Sequence, residues 1–173
     1  MKRLVGVLCI CFFVFTSNAQ TKEDLIEINK TWEKFYNAFE YLDYSLMAEI
    51  HSKDLIRISG SQSIVDYQTY INNYKKRFQQ NKEAGISYNI SLRFFERINN
   101  KATASERGVY QLIVNKGKPE EQKYYGQFHV ILKKVNDKWY ITMDYDSSEG
   151  NTIDEEDYLR AHALKDIDKF ITE

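Results

Sequence analysis

The sequence predicts one α+β domain in which helices come first and a curved antiparallel sheet wraps around them, with an extra helix at the C-terminus. Two observations carry that prediction. Apolar residues recur three and four positions apart as far as Gly85, and beyond it they alternate at every second position in four segments divided by turn residues. Composition agrees: 173 residues, 43% hydrophobic and 28% charged, with a single proline, describe an ordinary globular domain, not a disordered chain, a collagen-like repeat or a multidomain enzyme. The 24 basic and 25 acidic residues are spread along the chain, so no broad cationic surface is offered to nucleic acid.

Residues 1–19 read as a secretory signal. Lys2 and Arg3 make the basic start, Leu4 to Phe15 the apolar run, and Ser17-Asn18-Ala19 the small residues of a cleavage site that would leave Gln20 first. The apolar run is short of the roughly 20 residues that cross a bilayer, so no stable membrane insertion is expected after the signal is removed. The expected location is therefore periplasmic or extracellular. Both cysteines, Cys9 and Cys11, fall inside this segment, which leaves the mature chain without disulfide or thiolate metal site. Residues 20–150 form the predicted domain, and residues 151–173 the helix packed on it.

The first helix is predicted from Leu25, Ile28, Trp32, Phe35, Phe39 and Leu42, which share one face, with Thr21 and Asp24 near its start. Asp43 caps a short second helix carrying Leu46, Met47 and Ile50, and Leu55 to Ser59 is a brief strand ended by Gly60. A third helix has Ser63 and Asp66 near its start and Tyr67, Tyr70, Ile71, Tyr74 and Phe78 on one stripe. The strands are Ile86 to Ile98, Ala102 to Val114, Tyr124 to Val135 and Trp139 to Asp146. Asn99-Asn100 and Asn136-Asp137 suit tight hairpins, and Asn115 to Pro119 a longer one. Thr152 and Glu155 read as a capping box for the terminal helix, whose apolar side is Leu159, Ala163, Ile167, Phe170 and Ile171.

This order resembles the nuclear transport factor 2-like superfamily, which includes ketosteroid isomerases and SnoaL-type cyclases. The resemblance spans about residues 25–148. It rests on Trp32-Glu33-Lys34-Phe35-Tyr36-Asn37-Ala38-Phe39, Leu42-Asp43, Met47, Asp54 and Gly60 in the helical half. In the sheet half it rests on Gly108-Val109-Tyr110, Tyr125-Gly126-Gln127-Phe128 and Lys133 through Ile141, ending in Asp144. It implies strands curled into a cone whose open end is a pocket lined by the first helix and the concave sheet face.

Counted from Asp43, the position matching the isomerase phenol holds Phe35, the position matching its general base holds Ser59, and the second acid would fall near His129 to Ile131, where no carboxylate stands. Phe35 has no proton to donate, so that catalytic set is not matched. Tyr36 stands about 100° around the helix from Phe35. The same register turns Arg57 and Ser59 to the pocket, and with them Tyr110, Gln127, His129, Tyr140, Thr142, Asp144 and Asp146. The opposing reading gives the last strand an inward set of Trp139, Ile141, Met143 and Tyr145, and both stand at this point.

The ligand-binding candidates are Trp32, Tyr36, Arg57, Ser59, Tyr110, Gln127, His129 and Asp144, with His129 and Asp144 the candidate proton-transfer pair. Tyr67, Tyr70 and Tyr74 read as core and rim residues of an amphipathic helix, and the acidic run Asp154 to Asp157 as a helix start. Neither His51 with Asp54 nor His162 with Tyr158 and Asp166 is expected to hold a metal, and no cofactor is implied. The favoured expectation is an exported protein binding a small apolar or anionic molecule. One alternative is a cofactor-free cyclase, isomerase or dehydratase using His129 and Asp144. The other is an interaction module with a filled pocket. A homodimer through the sheet face is expected.

Overall fold

The computed structural model describes residues 22–60 and 62–171; the expected signal segment and Thr21 lie outside them. The apolar stripe of the first segment forms α1 (Lys22–Glu40), which buries Leu25, Ile28, Trp32, Ala38 and Phe39. Asp43 then caps α2 (Tyr44–Ile50) by accepting a hydrogen bond from the Ser45 N–H at 2.8 Å. β1 (His51–Ser59) follows directly, longer than the predicted strand.

Residues 63–66, expected at a helix start, instead form β2 (Ser63–Asp66), a hairpin partner of β1 with Ser59 opposite Ser63. The cap explains the difference. Asp66 accepts from the Thr69 N–H at 2.8 Å, so α3 (Tyr67–Glu83) begins only after it, and the β-branched Ile64 and Val65 before it stay extended. Gly85, at φ +65°, turns the chain out of α3 as expected.

The four predicted strands are present as an antiparallel meander, β3 (Tyr88–Asn99), β4 (Thr103–Val114), β5 (Gln122–Val135) and β6 (Lys138–Ser147). Asn136 and Asp137 both adopt positive φ and close the β5–β6 turn. β1 joins β6 in parallel, with Arg57 opposite Asp144 and Ser59 opposite Asp146, which departs from an all-antiparallel sheet. A parallel neighbour needs a long crossover, and α3 with the preceding meander supplies it. The resulting curved, unclosed sheet runs β2-β1-β6-β5-β4-β3, with a last short strand, β7 (His162–Ala163), beyond β3.

Two bulges decide which side chains reach the interior. On β6 the pairing passes from Leu132 opposite Ile141 to Ile131 opposite Met143, leaving Thr142 as an extra residue. Before it Trp139 and Ile141 face inward, 4% and 1% exposed; after it Asp144 and Asp146 do. One added residue flips every later side chain to the other face, so each of the two sequence readings of β6 holds for part of the strand. On β3 the shift falls between Phe94 and Glu96, and it brings Arg97 into the core at 1% exposure.

The C-terminal helix is present but shorter than its periodicity predicts. α4 (Glu155–Arg160) starts from a capping box made by Asp154 and Asp157, two residues beyond the expected Thr152 and Glu155. The chain then forms β7 (His162–Ala163) against Arg93 and Phe94 of β3, followed by a 3-10 turn, Ile167–Lys169. The open edge of β3 offers ladder hydrogen bonds that a continued helix would forgo. Asp166 also accepts from the Ala163 N–H at 2.9 Å, and the Leu164 carbonyl accepts from Asn29 Nδ2 at 3.2 Å and Arg97 Nη1 at 3.3 Å. The tail is thus tied to α1 and β3.

Candidate ligand-binding site

Between α1, α3 and the concave face of the sheet lies a cavity of about 150 Å³. Its apolar wall is built from Trp32 and Phe35 of α1, Leu92 of β3 and Phe128 of β5. Trp32 meets Phe35, Phe94 and Phe128 at ring-centroid distances of 5.6, 5.8 and 5.9 Å, contacts that hold the wall in one arrangement. The Trp32 indole N–H donates to Glu106 Oε2 at 2.5 Å, so its orientation is set from behind, by the core.

The polar wall comes from β1, β6 and α3. Arg57 donates through Nη2 to Asp146 Oδ1 at 2.5 Å and through Nη1 to the Asp144 carbonyl at 3.2 Å; Nη1 also meets the Ile58 carbonyl. Its Nε stands 3.7 Å from Asp144 Oδ2. Parallel pairing of β1 with β6 places these three residues side by side. The Tyr70 phenol donates to Asp144 Oδ2 at 2.8 Å. His51 Nε2 faces the same oxygen from 3.8 Å, an electrostatic approach longer than a hydrogen bond, while its Nδ1 donates to the Met47 carbonyl at 2.7 Å.

Electrostatics differ between the two acids. Burial by itself would raise the Asp144 carboxyl, but the facing His51 ring, the Arg57 guanidinium and the Tyr70 phenol outweigh it and hold Asp144 below its ordinary value. Burial prevails at Asp146 and raises it, against the pull of Arg57. Burial also pushes the Tyr110 phenol up to about 12 and the Tyr70 phenol well above its ordinary value.

A lowered native value means that Asp144 adds stability above its ordinary value of 3.8 and loses it as pH falls through the lower native value. Asp144→Asn is accordingly expected to flatten the acid limb of the stability profile, read from urea unfolding between about pH 6 and about pH 2. An acid limb identical to that of the unsubstituted protein would contradict the pairing.

Toward solvent the cavity meets a second hollow of about 280 Å³, where Ser59, Ser63, Asn73 and Arg77 stand beside the shared Arg57 and Asp146. Of the sequence candidates, Trp32, Arg57, Tyr110 and Asp144 line the inner cavity and Ser59 lines this vestibule. Three candidates are elsewhere. Tyr36 packs beside the core and its hydroxyl accepts from the Leu92 N–H at 3.2 Å, the rotation from Phe35 having turned it away from the cavity. Gln127 and His129 lie on the outer face of β5, where Gln127 Nε2 donates to Glu149 Oε1 at 2.7 Å and His129 Nε2 lies 2.9 Å from Ser105 Oγ.

His129 and Asp144 are therefore not a pair. His129 stands opposite Tyr145, and the residue that shares a face with Asp144 is Val130. Of the positions matched to the isomerase set, Phe35 lines the inner cavity and Ser59 the vestibule, and within the stretch His129 to Ile131 the cavity-lining residue is Val130. Tyr70, Tyr74 and Arg77 of α3 complete the site. Tyr70 and Tyr74 were legible as an inward stripe. Nothing in the sequence distinguishes Arg77 from its neighbours Lys75 and Lys76 except its place seven residues after Tyr70.

The architecture is that of known proteins. An NTF-2 like protein of unknown function from Shewanella oneidensis MR-1 is 20% identical with a TM-score of 0.60, over 72% of this chain and 98% of that one. A ketosteroid isomerase-like protein from Erwinia carotovora atroseptica is 15% identical with a TM-score of 0.58, over 73% and 97%. An NTF2-like protein with a cystatin-like fold from Novosphingobium aromaticivorans is 11% identical with a TM-score of 0.57, over 72% and 81%. No model of a known family matches the sequence, and no curated protein matches it. The chain has the nuclear transport factor 2-like fold, and at these identities the likeness speaks of fold alone.

Proposed function

We propose that this chain binds a small molecule in the cavity between α1, α3 and the sheet, and does so outside the cytoplasm after loss of residues 1–19. The observation that carries this reading is the joining of an apolar cavity to a fixed polar wall and an open vestibule. At about 150 Å³ the inner cavity matches the size at which an apolar protein cavity takes up benzene. It falls below the roughly 300 Å³ at which pockets for drug-sized ligands begin. The buried part of the ligand is thus about one ring in size.

Binding is favoured over proton transfer because the cavity holds no imidazole among its lining residues and both of its carboxylates, Asp144 and Asp146, are engaged by Arg57. Native mass spectrometry of protein purified from its source tests both halves of the proposal. The expected result is a chain beginning at Gln20 with a small non-covalent adduct that is lost when Trp32 or Tyr110 is replaced by alanine. A chain that retains residues 1–19 would overturn the export reading. Failure of Trp32 and Tyr110 variants to alter any adduct would overturn the cavity as its seat.

A further inference from the structure

Arg77 differs from every other cation near the cavity. Arg57 is committed to Asp146, to the side chain and carbonyl of Asp144 and to the Ile58 carbonyl, a set that fixes its plane and uses most of its N–H groups. Arg77 lines both the inner cavity and the vestibule, and among the described residues no carboxylate lies within 4 Å of its guanidinium. It is held instead by stacking, 4.4 Å over the Tyr74 ring. That contact, with the Tyr74 hydroxyl beside it, orients the planar fork and leaves it without a carboxylate partner among the described residues.

The position is built into the helix. Tyr70, Tyr74 and Arg77 fall at i, i+4 and i+7, so the guanidinium continues the inward stripe of α3 at its solvent end. Ser59 of β1 and Ser63 of β2 face the vestibule with it, and Asn73 stands one turn before it on α3, three neutral side chains with hydroxyl and amide donors. Formal charges of Arg57 and Arg77 balance those of Asp144 and Asp146. One uncommitted guanidinium in such a neutral setting suits a single negative charge, whereas a phosphate dianion would meet Asp146 without a second free cation.

We infer that the site is selective for a monocyclic carboxylate, its ring in the apolar cavity and its carboxylate on the Arg77 fork in the vestibule. This inference rests on the cavity being a binding site, and it adds the ligand class and the residue that sets it. The geometry is the bidentate one that arginine offers to planar carboxylates.

The test is a pair of probes of equal ring size, benzoate and benzyl alcohol, titrated into the protein as purified from its source and followed by the Trp32 indole resonance in 1H–15N spectra. Benzoate is expected to bind the more tightly. Arg77→Met is expected to weaken benzoate by roughly tenfold while leaving benzyl alcohol within about twofold, and Arg77→Lys to weaken benzoate by less. Arg77 is solvent-exposed, so these variants are expected to fold, with the dispersion of the same spectra as the check. Equal binding of both probes, unmoved by Arg77→Met, would overturn the carboxylate inference while leaving the cavity reading intact. If neither probe shifts Trp32, both fall.

Discussion

Glu106→Gln is expected to lower folding stability by about 3–5 kcal/mol, the range for removing one member of a buried ion pair. Glu106 and Arg97 are 0% and 1% exposed, and they meet through Arg97 Nε and Glu106 Oε1 at 2.7 Å. The second carboxylate oxygen accepts from Trp32 Nε1 at 2.5 Å. Glutamine has one oxygen where glutamate has two, so whichever way its amide is turned, an NH2 group faces a donor, either Arg97 or Trp32. The measurement is a urea midpoint at neutral pH with an unchanged m-value. The double variant Glu106→Leu with Arg97→Met is expected to recover only part of the loss, because no charge is left buried but the Trp32 indole N–H still loses its acceptor. A single-variant loss below about 1 kcal/mol would mean that the network is not holding the core.

The same network has a functional reach. Arg97 Nη2 donates to Asn29 at 2.7 Å and Nη1 to the Leu164 carbonyl, while Glu106 orients the indole that lines the cavity. The tail, the back of α1 and the cavity wall thus share one polar cluster.

Gly108→Ala is expected to cost about 3 kcal/mol, the upper end for overpacking, because the added methyl has nowhere to go. Its Cβ would lie 1.9 Å from the Arg93 carbonyl oxygen and 2.8 Å from the Phe94 Cα. Those are backbone atoms of β3 at its bulge, and moving them means moving the strand. Gly126→Ala makes the instructive comparison. There the nearest atoms belong to the Tyr110 ring, the closest at 2.5 Å, and a side chain swings more cheaply than a strand. Gly126→Ala should therefore cost less stability than Gly108→Ala in the same urea experiment while displacing a ring of the cavity wall. Equal losses would show that Tyr110 is as rigid as the β3 backbone.

The meander was legible because alternation, β-branched residues and asparagine turns all pointed to it, and the caps at Asp43 and Asp66 were legible because their chemistry is local. The candidate site was read in part for the same reason. Ser59 was turned to the pocket by the register counted from Asp43, and because Ile56 to Ser59 pair in step with β6, alternation brought Arg57 with it. His129 and Gln127 were misplaced because one register was carried across β5 and β6 as though both were regular. The extra Thr142 breaks it, and a bulge leaves no mark in an alternating sequence whose polar and apolar sets are both plausible. The tail failed differently: helical spacing from Leu159 to Ile171 is real, but the vacant edge of β3, a long-range opportunity, prevailed over it.

That edge has a wider consequence. The sheet ends on one side in β2, four residues long, and on the other in β7, only two. β7 covers only Arg93 and Phe94 of the twelve-residue β3, so among the described residues the rest of that edge has no strand beside it and offers backbone groups on which a further extended segment could pair.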